Sequence, residues 1–193
     1  VVTRLQNIST TQFQLMIQEE ENGDGIHLEE DVAWIAFEQG INTEGTPFEV
    51  GKSTISSNSS VLNFNQSYSS IPAFIGTIQT SNESDPVSLR YNNLSTSSAN
   101  IISEEENSFD PETTHGLEFM GYLAFGNSGN ISTQAGEIIG EVGQISVDQD
   151  FMTINLAHTY HNPVVVFGGI SQNEGKAATI RVKDLRENSF DVQ

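Results

Sequence analysis

One layout occurs twice in this chain, and that recurrence limits the folds open to it. The acidic run Glu19–Glu20–Glu21–Asn22 is followed by His27–Leu28–Glu29–Glu30 and then by Val32–Ala33–Trp34–Ile35–Ala36–Phe37. The acidic run Glu104–Glu105–Glu106–Asn107 is followed by His115–Gly116–Leu117–Glu118 and then by Met120–Gly121–Tyr122–Leu123–Ala124–Phe125. Other landmarks keep the same phase. Glu49–Val50–Gly51 returns as Glu141–Val142–Gly143, 92 residues later, and Arg4 has counterparts in Arg90 and Arg181. Self-similarity of this kind marks a chain built from repeated supersecondary units. Divided on that period, residues 51–142 form one complete unit, residues 1–50 the C-terminal half of a unit, and residues 143–193 the N-terminal half of a further unit. The chain reads as a piece of a longer protein. The halves are expected to complete each other within this chain or between copies, because a lone half leaves a sheet edge unpaired and an apolar face wet.

Within a unit the periodicity is that of strands. Val87, Leu89 and Tyr91 alternate with Ser88, Arg90 and Asn92, and Phe13, Leu15 and Ile17 alternate with Gln14, Met16 and Gln18. A period of two over such lengths places one face on a core and the other in water. Asn7–Gln12 and Asn93–Ser98 read as tight connections between such strands. Ala73–Phe74–Ile75, Val164–Val165–Val166–Phe167 and Trp34–Ile35–Ala36–Phe37 are apolar on both faces, which suits central strands. No segment carries a convincing helical period. The expected fold is all-β, an antiparallel β-sandwich with little or no helix.

Charge then narrows the partners. Twenty-six acidic residues against seven basic ones leave a net charge of −19, which repels nucleic acid and anionic membranes. No apolar run approaches a membrane span, so no membrane insertion is expected. The chain has no cysteine, which removes disulfides and thiolate metal sites. Asn-x-Ser/Thr tripeptides stand at Asn7, Asn58, Asn65, Asn82, Asn93 and Asn130, the acceptor pattern for N-glycans in a secreted protein.

The order of these features resembles the H-type lectin domain, the six-stranded sandwich of snail agglutinins and discoidins. The residues that carry the likeness are Leu62, Phe64, Tyr68, Pro72, Phe74, Arg90, Asn93–Leu94–Ser95 and Tyr122–Leu123–Ala124, with Arg4, Asn7–Ile8–Ser9, Phe13 and Trp34–Ile35–Ala36 in the preceding half unit. A closer look-alike is a repeat of large secreted bacterial proteins, often beside calcium-binding repeats, marked here by Asp24–Gly25–Ile26–His27–Leu28–Glu29–Glu30. The resemblance implies a tandem sandwich and a sugar site beyond the strand after the turn. Lectins usually place a Trp there, whereas this chain has Glu20–Glu21 and Glu105–Glu106, so galactose-type specificity does not carry over.

The candidate site residues are mostly charged. Glu20, Glu21, Asp24, Glu105, Glu106 and Asp110 are candidate ligands for Ca²⁺, which takes oxygen donors; a solvated acidic rim is the other reading. Arg4, Arg90 and Arg181 recur in a chain poor in basic residues, and Glu30 and Glu118 occupy equivalent positions. A strand-bracing ion pair or a ligand-facing Arg accounts for the recurrence. His27 and His115 are expected to bond neighbouring carboxylates, since neither has a second His at metal-ligand spacing. Trp34 and Tyr122 complete the set. No nucleophile elbow, phosphate loop or dinucleotide fingerprint is present, so no enzymatic role is expected. The expected role is a structural or adhesive repeat of an extracellular fibre, stalk or surface protein of bacteria, partnered by copies of itself. The alternative is a carbohydrate-binding module that recognises surface or matrix glycans.

Overall fold

In the computed structural model of the protein, which describes residues 1–172 and 178–193, the alternating segments form strands and no helix occurs among the described residues. In chain order they are β1 (Val2–Gln6), β2 (Gln14–Gln18), β3 (Gly40–Asn42), β4 (Phe48–Ile55) and β5 (Ser60–Asn63). Next come β6 (Ala73–Ile78), β7 (Val87–Asn92), β8 (Ser98–Glu105), β9 (Glu118–Phe125) and β10 (Gly129–Ser132). The last are β11 (Ile138–Val142), β12 (Met152–Asn155), β13 (Ile170–Ser171), β14 (Val182–Arg186) and β15 (Ser189–Val192).

Two four-stranded sheets make a sandwich. One runs β3-β4-β9-β6 and the other β13-β7-β8-β5. Among the described residues the pairings are antiparallel except for β13 on β7, where Ile170 faces Arg90. The period of two predicts which side chains turn inward. In β8, Ala99, Ile101, Ser103 and Glu105 are buried while the intervening residues are only half so. In β9, Glu118, Met120, Tyr122 and Ala124 are buried. Of these, Ala99, Ile101, Met120, Tyr122 and Ala124 meet Ile55, Leu62, Phe64, Phe74, Ile78, Val87 and Leu89 in one core that draws on both sheets. Burial of this apolar area is the main stabilising term.

Tyr122 sits at the centre of that core because its neighbours lack side chains. It pairs with Gly51 on β4 and with Gly76 on β6. A Cβ at Gly51 would lie 2.2 Å from the Tyr122 ring. The ring also stacks on Phe74, with centroids 5.9 Å apart.

Around the sandwich lie smaller sheets: the β1-β2 ribbon, the β10-β11 ribbon and a three-stranded sheet in the order β12-β15-β14. Asn7, Asn93 and Asp184 each stand three residues after Arg4, Arg90 and Arg181, and each has a left-handed backbone, with φ of 52°, 49° and 50°. Asn and Asp tolerate that region better than branched residues do. The same turn bond follows twice, Ser9 N to Gln12 O and Ser95 N to Ser98 O, both 2.8 Å.

Three expected central strands come out differently. Ala73–Phe74–Ile75 belongs to β6, an edge strand rather than a central one; its flank is covered by Gly168 and Gly169, whose missing side chains allow contact with Gly76. Val32–Phe37 and Val164–Phe167 join no ladder. A strand needs an adjacent edge with free backbone groups, and β9, between β4 and β6, already uses the central edges. Trp34 is therefore 65% exposed and Val164 69% exposed.

Gly51→Ala is expected to displace the Tyr122 ring and to cost about 1–3 kcal/mol of stability through overpacking, read as a lower urea midpoint. An unchanged midpoint would mean that Tyr122 does not need the gap.

Candidate functional site

The inner face of the sandwich ends in charge. Alternation along β8 carries the core phase through Ala99, Ile101 and Ser103 to Glu105, and β9 enters the core with Glu118. These carboxylates belong to opposite sheets. His115, on the connection between them, bridges the two: Nδ1 lies 3.3 Å from Glu105 Oε1 and Nε2 lies 3.2 Å from Glu118 Oε1. Each ring nitrogen thus faces a carboxylate of a different sheet, so the imidazole ties the two sheets together at this end of the core. The side chains of His115, Glu105 and Glu118 are all fully or almost fully buried.

Glu118 collects further donors. Thr80 Oγ1 donates to it, as do the Asn82 amide at 2.9 Å and the Glu83 amide at 3.4 Å. Burial pushes its carboxyl up, but the hydrogen bonds from Thr80, Asn82, His115 and Glu83 prevail and hold it below the usual carboxylate range. Arg4 reaches the same oxygen from the β1-β2 ribbon, Nη2 to Oε1 at 3.3 Å. Its guanidinium also donates to the Asp85 carbonyl at 2.5 Å, the Glu83 carbonyl at 3.1 Å and Ser81 Oγ at 3.2 Å. Arg4 is thus the buried plug that seats the ribbon on the loop between β6 and β7. Gln18 adds a hydrogen bond to the Ser84 carbonyl, and the Glu21 amide donates to Glu106 Oε2 at 2.8 Å.

The other recurring residues form the same pattern with different burial. His27 is bridged like His115, Nδ1 to Glu19 Oε1 at 3.2 Å and Nε2 to Glu30 Oε1 at 3.0 Å. Hydrogen bonds to Glu30 and then Glu19 raise its pKa above the ordinary histidine value. Arg90 is buried and donates through Nε to Glu104 on the adjacent strand, whereas Glu118 is taken by Arg4. Arg181 is exposed, and its backbone amide bonds Gln193.

Among the acidic candidates, Glu20 is exposed. Asp24 and Asp110 cap local turns, accepting from the Ile26 and Glu112 amides. Glu21 and Glu105 do come together, and the structure adds Asp85: one oxygen of each lies within 4.8 Å of the others. Glu83, Glu105 and His115 form a second such group.

Sequence reasoning passed over one buried acid. Glu49 on β4 is fully buried and accepts from the Asn65 amide at 2.9 Å, the Gln66 amide at 3.2 Å and the Tyr122 hydroxyl at 2.5 Å. Burial and the Glu49 carboxylate push the Tyr122 hydroxyl well above its ordinary pKa. Glu141 repeats the arrangement, accepting from the amides of Ala157 at 3.0 Å and His158 at 3.2 Å, at the same sequence offsets. The signal was the recurrence of Glu-Val-Gly itself. Asp85 left no signal, because it recurs nowhere.

With this geometry in place, the chain was compared with known proteins. It is 29% identical over 164 residues to halomucin of Haloquadratum walsbyi. That alignment covers 82% of this chain, while the chain spans about 2% of halomucin's length. No protein-family model matches the chain, and no solved structure matches it with significance. The relative is archaeal, so a bacterial origin is not established.

Arg4→Ala strips a buried carboxylate of its ion-pair partner and is expected to cost about 3–5 kcal/mol, measured by urea unfolding. A loss under about 1 kcal/mol, the value of a surface pair, would mean that the ribbon is not seated through Arg4. The two charged bridges also set opposite pH slopes. Stability from Glu118 is full above its ordinary value of 4.5 and is lost as pH falls through its lowered folded value. Stability from His27 is full below its ordinary value of 6.5 and is lost as pH rises through its raised folded value. The gap between wild type and Glu118→Gln should close in acid, and that between wild type and His27→Gln should close in alkali. Slopes of the opposite sign would contradict these assignments.

Proposed function

We propose that this chain is part of an extracellular, cell-surface stalk or fibre made of β-sandwich repeats joined strand to strand, with no catalytic role. The observation that carries the reading is the pair of unpaired apolar runs. In the central sandwich Ala73–Ile78 pairs with β9 along Phe74–Ala124 and Ile75–Leu123. By the sequence recurrence, Val164–Phe167 corresponds to β6 and Val32–Phe37 to β9. Each exposed run thus lacks the partner that the other resembles. The sheet β12-β15-β14 also reproduces the order β5-β8-β7, so residues 138–193 offer a sandwich in want of its β9. Residues 32–37 of a second copy, or of a neighbouring repeat, would supply it by strand addition. The match to a small fraction of halomucin supports a module of a very large surface protein.

The lectin alternative draws less support from the site. Arg90 is buried and bonded to Glu104, an arrangement that suits bracing rather than sugar contact.

Sedimentation velocity and negative-stain electron microscopy test the proposal. Wild type is expected to associate into extended particles, and Trp34→Glu or Val165→Glu to remain monomeric while keeping the sandwich fold. A wild type that stays monomeric, or variants that associate equally well, would overturn it.

A further inference from the structure

We propose that Glu21, Asp85 and Glu105 bind a divalent cation of calcium's size at the seam between the β1-β2 ribbon and the central sandwich. One oxygen from each residue lies within 4.8 Å of the other two. Calcium–oxygen bonds are about 2.3–2.6 Å, so oxygens at this spacing can all touch a single ion placed among them.

A second observation points to the same place. Glu21 Oε2 and Glu105 Oε2 are shut away from solvent and accept no hydrogen bond. The Glu105 side chain is 1% exposed, and its other oxygen already faces His115. Buried polar atoms are almost always partnered, and a bare ionised oxygen is the costliest exception. Two such oxygens in one cluster of carboxylates mark a position that wants a cation.

The neighbouring charges do not fill that need. Asp110 and Glu106 add negative potential at Glu21, and Asp85 and Glu112 do so at Glu105. Arg4 is close, but it engages the backbone carbonyl of Asp85 and the carboxylate of Glu118. The donors offered are oxygens, which suits a hard cation rather than a transition metal. A cleft of about 580 Å³, lined in part by Glu21, Asp85, Asp110 and Gln18, opens beside the cluster. It gives a route in and room for the water ligands that complete the shell.

The three ligands come from three places: the segment after β2, the loop between β6 and β7, and the end of β8. An ion among them ties the ribbon to the sandwich. That it stiffens a stalk rests on the function proposed above; that it binds does not.

The test is isothermal titration of the full chain with calcium chloride at pH 7, with thermal unfolding followed in parallel against sodium chloride at matched ionic strength. One ion per chain is expected, with a melting temperature that rises with calcium and responds less to magnesium. Asp85→Asn should bind at least tenfold more weakly, as should Glu21→Gln. Both should melt no lower than wild type when calcium is absent, because each removes one of the repelling charges. Glu137→Gln, in the distant β10-β11 hairpin, should behave as wild type. No binding heat with a melting temperature that tracks ionic strength alone would overturn the site, and so would undiminished binding by both cluster variants. A wild type stabilised by acid but not by calcium would assign the relief to a proton. If calcium binds and no fibres form, the site stands and the stalk reading falls.

Discussion

The sandwich depends on a hydrogen-bonded histidine bridge at one end of its core. Two sheets packed on apolar side chains alone can slide, because the hydrophobic effect is not directional. Glu105 and Glu118 stand at the ends of inner-face rows on opposite sheets, and His115 holds both through its two ring nitrogens. A bond of that geometry fixes the register of one sheet on the other. Donors also explain how a chain of net charge −19 keeps Glu118 and Glu49 inside. Glu118 takes Thr80, Asn82, Glu83, His115 and Arg4. Glu49, on β4, is held by Asn65, Gln66 and Tyr122. Breaking one member of such a network strands the others, which is why buried ionic groups cost more to disrupt than they contribute when intact.

Arg4 extends the network beyond the sandwich. It lies on β1, yet its side chain is buried among Ser81, Glu83, Asp85 and Glu118. The planar guanidinium, with its several donors, suits a position where backbone carbonyls and a carboxylate converge. Gln18, which bonds the Ser84 carbonyl, and the Glu21 amide, which bonds Glu106, complete the junction between ribbon and sandwich. The junction is polar, specific in geometry, and sensitive to ions and protons.

The all-β class was legible because alternation is a local signal. Ala99, Ile101 and Ser103 announce a face, and the same count places Glu105 on it, although its role as an inward acid becomes evident only once the sheet that holds β9 packs against that face. The bridging histidines were legible because His27–Glu30 and His115–Glu118 share a spacing. Their contrast in burial was not, since it depends on what packs over each. The sequence also misread Trp34–Phe37 and Val164–Phe167 as central strands. Apolar character on both faces reports that a segment seeks burial, and it is silent on whether a partner edge is available. Ala73–Ile75 shows the reverse: an equally apolar run sits at an edge because Gly168 and Gly169 lie against it. Asp85 was invisible, because a loop acid acquires meaning only from what folds beside it.

The exposed run at Val32–Phe37 has acids on both flanks, Glu29, Glu30 and Asp31 before it and Glu38 after. Any apolar surface that meets it on a second copy brings those flanks near another strongly acidic chain. Repulsion of this kind reaches about 10 Å in dilute saline but only about 3 Å at molar salt. The flanks therefore act as gatekeepers whose strength is set by the medium. In the assembly proposed above, fresh water would hold this segment off a second copy and brine would let the two meet.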